Sequence, residues 1–263
     1  MLLVIDTGNT HTVVGIYDDV TPGPRSCDSG LVDHWRLATD PERTEDELAL
    51  LVRQLLDLRD VRMRHDIDGV AICSGVPRVT GVLRDMCRRH IDVEPIVVGP
   101  GVKTGMPILV ENPPEVGADR IANAVAAHEQ FGGPTVVVDF GTATTFDVIG
   151  SEGQYLGGSI TPGIEISLEA LFERAALLRR IELVEPPAVV GRNTAQSVQS
   201  GVVFGFAAQV DGMVARIEEE IGEVTTVATG GLAELIVPAA DSVDHHESWL
   251  TLHGLRLIHE KNQ

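Results

Sequence analysis

The sequence predicts a duplicated α/β fold, and three observations carry that expectation. An apolar run ending in Asp-x-Gly opens the chain, as Leu2 to Ile5 followed by Asp6-Thr7-Gly8-Asn9-Thr10. The arrangement returns about half-way along, as Val136-Val137-Val138 followed by Asp139-Phe140-Gly141-Thr142-Ala143-Thr144-Thr145. A second strand-like run follows each motif, so each reads as a hairpin. A hairpin recurring once per half points to an internal repeat. Around the hairpins, short β-branched runs alternate with amphipathic stretches, the pattern of α/β units.

In order, Leu2–Asp6 and Thr12–Tyr17 form the first hairpin. Residues 18–30 are rich in Asp, Pro, Gly and Ser and read as a loop. Leu31–Leu37 is a third strand. Thr44-Glu45-Asp46-Glu47 is a capping box, in which hydroxyl and carboxylate satisfy free amides at a helix start. Leu48, Leu51, Val52, Leu55 and Leu56 then share one helical face. Gly69–Cys73 is a fourth strand, Val79, Val82, Leu83, Met86 and Cys87 mark a second helix, and Ile96–Val98 is a short strand. Asn112-Pro113-Pro114 breaks the chain, which places the domain division between residues 1–114 and 115–263.

The second half opens with a helix over Ile121–Gln130, then the repeat strand and its return, Thr145–Ile149. Gly153–Gly158 reads as a strand that enters a turn at Gly157-Gly158 and Thr161-Pro162-Gly163. A helix with Leu168, Leu171, Phe172 and Ala175 inward follows. The longest helix runs from Thr194 to about Ile221 on Val198, Val202, Phe206, Val210, Met213, Val214 and Ile217. Val227–Thr229 is a strand ending in Gly230-Gly231, and a last helix spans Thr251–Lys261.

The chain has 263 residues, enough for one large or two modest domains. Its net charge is −19, which repels nucleic acid and anionic membrane, so neither is an expected partner. No apolar run approaches the ~18 residues of a spanning helix, and the five apolar residues before Asp6 make no signal peptide. Cys27, Cys73 and Cys87 are odd in number, lack CxxC spacing and read as buried thiols in a reducing cytoplasm.

Asp139 at the end of an apolar strand is a poor core residue, because a buried carboxylate needs a partner. The glycine after it lets the backbone turn or approach a ligand. Hydroxyls and turn amides can then hold a phosphate. The competing reading is a strand ending in an Asx-type turn. Two such hairpins facing each other, with a third glycine turn at Thr229-Gly230-Gly231, describe a nucleotide cleft between two domains. Neither GxxxxGK[ST] nor GxGxxG occurs, so the site is neither a P-loop nor a Rossmann fingerprint.

An ordered set of motifs resembles the type III pantothenate kinases: Asp6-Thr7-Gly8-Asn9-Thr10, Gly117-Ala118-Asp119-Arg120, Asp139 to Thr145, Gly157 to Gly163, Gly191-Arg192-Asn193-Thr194 and Ala228 to Ala233. The likeness covers essentially the whole chain. It implies two ribonuclease-H-like domains of the actin/hexokinase/Hsp70 superfamily around a nucleotide cleft. It also implies ATP-dependent phosphorylation of pantothenate, the first step of coenzyme A synthesis, by a cytoplasmic homodimer. Carried onto this sequence, the resemblance gives Asp6, Thr7, Gly8, Asn9, Thr10, His11, Thr12 and Val13 to the ATP phosphates, with Asp6 near Mg²⁺. Thr142 would contact ATP, and Asp139 would hold a monovalent cation, K⁺ or NH₄⁺. Gly117, Ala118, Asp119, Arg120 and Thr194 would line pantothenate, with Asp119 as general base.

The chain departs from the family pattern at Leu178-Arg179, often Leu-Pro, at Arg192, often Lys, and at Val13, lysine in some members. Val13 leaves no side-chain cation in the first phosphate turn, which puts phosphate holding on backbone and metal. His11 reads as a packed or surface residue, and His245-His246 as too isolated for a metal site. Two alternatives stay open: a catalytically silent regulatory homologue binding nucleotide or a partner protein, and a kinase or phosphatase of the same fold with another small substrate.

Overall fold

The computed structural model describes residues 1–263 apart from 19–26, 28, 176, 177 and 179. Most of the expected loop at 18–30, and Arg179, lie outside the described residues. The chain forms two compact units, residues 1–130 with 249–263, and residues 131–248.

The first unit holds β1 (Leu2–Thr7), β2 (His11–Tyr17), β3 (Leu31–Ala38), α1 (Glu45–Asp57), β4 (Gly69–Ser74), α2 (Pro77–Met86), β5 (Ile96–Val97) and α3 (Ala118–Phe131), of which Phe131 falls in the second unit. The capping box forms as expected: Thr44 Oγ1 accepts from the Glu47 amide, and the Glu47 carboxylate accepts from the Thr44 amide. The strand order is β3-β2-β1-β4-β5, with β1 antiparallel to β2 and parallel to β4. Leu3, Ile5, Val14, Ile16 and Ile72 pack with Leu48, Val52 and Leu56 of α1 and Val79, Leu83 and Met86 of α2. Burying each such side chain contributes about 1.5–3 kcal/mol.

The second unit contains β6 (Thr135–Phe140), β7 (Ala143–Ile149), β8 (Tyr155–Pro162), α4 (Ile164–Arg174), α5 (Thr194–Ile221), β9 (Thr225–Thr229), the short α6 (Ala233–Ile236) and β10 (His245–His246). Its strand order, β8-β7-β6-β9-β10, repeats that of the first unit strand for strand. Val136, Val138, Phe140 and Phe146 pack with Ile164 and Leu168 of α4 and Val202, Val210 and Val214 of α5. The duplication expected from the two Asp-x-Gly hairpins is therefore present in the topology.

The final helix, α7 (Leu250–Glu260), belongs to the first unit, as does nearly all of α3. Thr251 Oγ1 donates to Asn123 Oδ1 at 2.7 Å, and Gly254 meets the Ala122 carbonyl so closely that any side chain there would collide. The expected division at 114/115 lies inside the first unit.

Two local expectations are corrected. The strand placed at Gly153–Gly158 runs later, as β8, so Gly157-Gly158 is strand interior and not a turn. Gly158 pairs with Asp147 and lies against the Phe146 carbonyl, where a Cβ has no room, and the ladder shifts register beside Gly157. The glycines permit close approach between strands rather than reversal. The inner face of α4 is carried by Ile164 and Leu168, while Leu171 is exposed. His245-His246 forms a two-residue strand, parallel to β9.

Candidate active site

The first centre is built at the end of β1. Asp6 is the last residue but one of a strand whose preceding four residues are buried. It lies opposite Val13 on β2 and Cys73 on β4. The Cys73 thiol donates to Asp6 Oδ1 at 3.1 Å. Burial pushes the Asp6 carboxyl up to about 6; the Cys73 bond works against this, and the nearby Asp119 charge adds to it. Burial, followed by the charges of Asp6 and Asp119, raises the Cys73 thiol well above its ordinary range, so it stays a neutral donor. Cys73 is buried, as its sequence context predicts, but its contact with Asp6 was not legible there.

The turn after Asp6 is exposed at Gly8, Asn9, Thr10 and His11. The Gly8 amide closes it on the His11 carbonyl at 2.9 Å. Thr7 and Thr12 are buried, and Val13 is half-buried. The end of β3 grips this turn: the Thr39 amide donates to the Thr10 carbonyl at 2.9 Å, and Thr39 Oγ1 to the Gly8 carbonyl at 2.8 Å. The Thr12 and Thr39 hydroxyls are 2.9 Å apart. Thr39 lies beyond the strand expected at Leu31–Leu37, and no sequence motif singled it out.

Asp119 is in the first turn of α3, and its Oδ1 accepts from the Arg120 amide at 2.9 Å. That oxygen folds back over Gly117 so closely that a Cβ on Gly117 would collide with it. A side chain at residue 117 would therefore displace the carboxylate from this position. Asp119 is exposed, Gly117, Ala118 and Arg120 are half-buried, and the Asp119 charge is felt at both Asp6 and Cys73. The first unit therefore brings together Asp6, its turn and the Gly117–Arg120 segment.

In the second unit, Asp139 is the last residue but one of β6, opposite Thr145 on β7 and Thr229 on β9. Gly230 has φ +96° and sits directly against Asp139 Oδ1 and the Phe140 backbone, leaving no space for a side chain. Gly141 and Thr142 are exposed. The Gly163 amide donates to the Thr142 carbonyl at 3.2 Å. Thr194 is the exposed first residue of α5, whose N-cap, Asn193, accepts from the Gln196 amide at 2.9 Å. Gly191 packs against the Gln196–Ser197 backbone, fixing the chain as it enters this helix.

Among the described residues no three His, Cys, Asp or Glu side chains gather as a metal cage. A divalent ion beside Asp6 would accordingly take one protein carboxylate, completed by phosphate oxygens and water, the usual arrangement for Mg²⁺. Asp6 fits such an ion, since burial and, to a smaller extent, the Asp119 charge disfavour its ionised form in the absence of a counter-charge.

The family model for type III pantothenate kinase matches residues 2–216. The chain belongs to the type III pantothenate kinase family. It is 53% identical over its whole length to the type III pantothenate kinase of Streptomyces avermitilis, and covers 98% of that protein. It is similar in fold to a candidate Baf family transcriptional activator from Campylobacter jejuni, at 18% identity with a TM-score of 0.61, covering 99% of this chain and 98% of the other. It is also similar to an inorganic polyphosphate/ATP-glucomannokinase from Arthrobacter, at 12% identity with a TM-score of 0.51, covering 99% and 97% of the two chains. These two likenesses concern the fold alone. Together with the repeated sheet topology they show that the chain shares the duplicated α/β fold of these proteins.

Proposed function

We infer that the chain transfers the γ-phosphoryl group of ATP to the primary hydroxyl of pantothenate, giving 4'-phosphopantothenate for coenzyme A synthesis. The observation that supports this most is the pairing of two carboxylates from separate segments: Asp119, pinned over Gly117, lies near enough to Asp6 to help raise its pKa. Phosphoryl transfer calls for positioning and charge neutralisation more than covalent chemistry. A base placed beside a charge-poor, phosphate-binding turn meets that need.

In this reading Asp119 takes the proton from the attacking hydroxyl. Arg120 attracts the pantothenate carboxylate beside Gly117 and Ala118, and Thr194 is a further pantothenate contact. The exposed turn Gly8–His11 holds phosphate through the Asn9 and Thr10 amides, with the buried Thr7 and Thr12 and the half-buried Val13 at its base. Thr142 contacts ATP from the second turn. Asp6 would hold Mg²⁺ and Asp139 a monovalent cation, K⁺ or NH₄⁺, which would supply positive charge for the transfer. The division into a domain of residues 1–114 with the phosphate-binding hairpin and a domain of residues 115–263 with the substrate base and cation site belongs to this reading. A cytoplasmic homodimer is part of the same reading; the exposed Ile160 and Ile166 offer apolar surface for it, and light scattering tests it. Among the described residues no helix is long and apolar enough to cross a membrane.

The test is turnover of pantothenate by purified protein with Mg·ATP, in K⁺ and in NH₄⁺. Phosphopantothenate is expected; its absence in both cations overturns the reading. Asp119→Asn is expected to keep fold and ATP binding while turnover falls about 10²- to 10⁴-fold. Normal turnover by that variant moves the base elsewhere.

A further inference from the structure

Thr39 makes three hydrogen bonds to the turn that follows Asp6, and nothing else outside the turn contacts it so fully among the described residues. Its amide holds the Thr10 carbonyl, its hydroxyl holds the Gly8 carbonyl at 2.8 Å, and Thr12 Oγ1 lies 2.9 Å from Thr39 Oγ1. A threonine has one hydroxyl proton. That of Thr39 is committed to Gly8, so Thr12 must be the donor in the Thr12–Thr39 pair. The result is a relay, from the Thr12 hydroxyl through the Thr39 hydroxyl to the Gly8 carbonyl, that fastens both ends of the turn. Asn9 and Thr10, between them, are exposed, and their amides make no hydrogen bond to the described residues. These are the groups a phosphate oxygen would take.

The second unit provides an internal comparison. By strand register Thr39 lies opposite Thr10, and Gly163 opposite Thr142. Gly163 repeats the backbone bond of Thr39, amide to carbonyl, at 3.2 Å. It has no hydroxyl, and any side chain there would strike the Gly141 and Thr142 carbonyls. The backbone bond is thus made in both halves, whereas a hydroxyl reaches a carbonyl of the turn itself, Gly8, only in the first; in the second, Thr161 Oγ1 donates to the carbonyl of Thr144, which closes the turn.

We propose that Thr39 is a positioning residue for phosphoryl transfer: its hydroxyl holds the Gly8–Thr12 turn in the shape that presents the Asn9 and Thr10 amides to the phosphates of ATP. The proposal rests on the reading of this turn as the ATP site. Preorganised donors are worth more than donors that must be ordered on binding.

Thr39→Val keeps the shape and the backbone bond but removes the clamp. Steady-state kinetics and calorimetric titration with Mg·ATP read the outcome. Expected are a rise of about tenfold in both the KM and the Kd for Mg·ATP and a pantothenate KM within about twofold of wild type, since one or two neutral hydrogen bonds are lost. Thr39→Ser, which restores the hydroxyl, is expected to recover ATP binding to within about twofold. Unchanged ATP affinity in Thr39→Val overturns the proposal. So does an equal rise in both KM values, the mark of a general structural role. Should Thr39→Val fail to fold, Thr12→Val, which cuts the relay one step earlier, is expected to raise the Kd for Mg·ATP about threefold, and wild-type affinity in that variant overturns the proposal. Failure of the wild type to turn over pantothenate, with ATP binding intact, would sink the kinase reading while leaving the Thr39 test standing.

Discussion

The two Asp-x-Gly hairpins share one topology but close differently. In the first, the last ladder pair is Thr7 with Thr12, and the turn is Gly8–His11. In the second, the last pair is Phe140 with Thr144, and the turn is residues 141–143, one residue shorter. The longer turn is exposed and held at a distance by side-chain hydroxyls. The shorter one, also exposed at Gly141 and Thr142, has its carbonyls against Gly163, while Gly230 packs on the strand end before it. The carboxylates differ in company too. Asp6 has a thiol beside it and a second carboxylate nearby, while Asp139 has Thr229 across the ladder and Gly230 against it. Duplication supplied two equivalent strand ends. One is an exposed turn whose strand-end carboxylate feels the charge of a second carboxylate, Asp119. The other is a shorter turn whose carboxylate lies against the Gly230 backbone.

That contrast is most sharply tested by exchanging each carboxylate for its amide. Asp6→Asn is expected to lower turnover at saturating pantothenate by about 10²-fold or more, in the range of losing one electrostatic stabiliser, and to weaken Mg²⁺ dependence. Asp139→Asn is expected to lose less turnover, with its effect falling on the K⁺ or NH₄⁺ titration. Identical titrations of both cations in the two variants would erase the proposed division. A smaller effect separates the packing of the two corners. Gly163→Ala forces a Cβ into two carbonyl oxygens, and overpacking of this kind costs about 1–3 kcal/mol. Gly8→Ala meets only the His11 carbonyl, at 3.5 Å, and should cost under about 1 kcal/mol. Thermal unfolding of the two variants reads this directly; equal losses would mean that the turns are packed alike.

Sequence reasoning reached the repeat because its signals are local. An apolar run, a carboxylate and a glycine identify a strand end, and the capping box at Thr44 identifies a helix start, wherever they occur. It missed what depends on register. Gly158 resembles a turn glycine until its partner, Asp147, and the carbonyl of Phe146 are known. Cys73 resembles any buried thiol until parallel pairing of β4 with β1 sets it opposite Asp6. Thr39 carries no motif, and its role follows from the ladder that brings it across from Thr10. The grouping of α3 and α7 with the first unit was equally invisible, because the contact of Gly254 with Ala122 joins segments far apart in the chain.

The weakest and most specific consequence of the contrast is a pH dependence confined to the first turn. The Asp6 carboxyl titrates at about 6 in the folded protein against an ordinary value of 3.8. A folded-state pKa above the unfolded one means that the native state binds the proton more tightly. Ionised Asp6 therefore costs stability: the cost is absent below about pH 4, grows through the interval to pH 6 and is complete above it. At about 1.4 kcal/mol per unit the full difference is about 3 kcal/mol, an upper bound because Asp6 keeps some solvent access. Asp6→Asn removes the charge, so in metal-free protein it is expected to raise the melting temperature more at pH 8 than at pH 5. Asp119→Asn should give part of the same gain, since its charge is the smaller contributor to the shift after burial. Mg²⁺ with ATP, which favours the ionised carboxylate, should narrow the gap between wild type and Asp6→Asn at pH 8. A melting difference that is flat between pH 5 and pH 8 would mean that Asp6 is no more burdened by its surroundings than an ordinary strand-end aspartate, and the electrostatic half of the contrast between the two turns would fall with it.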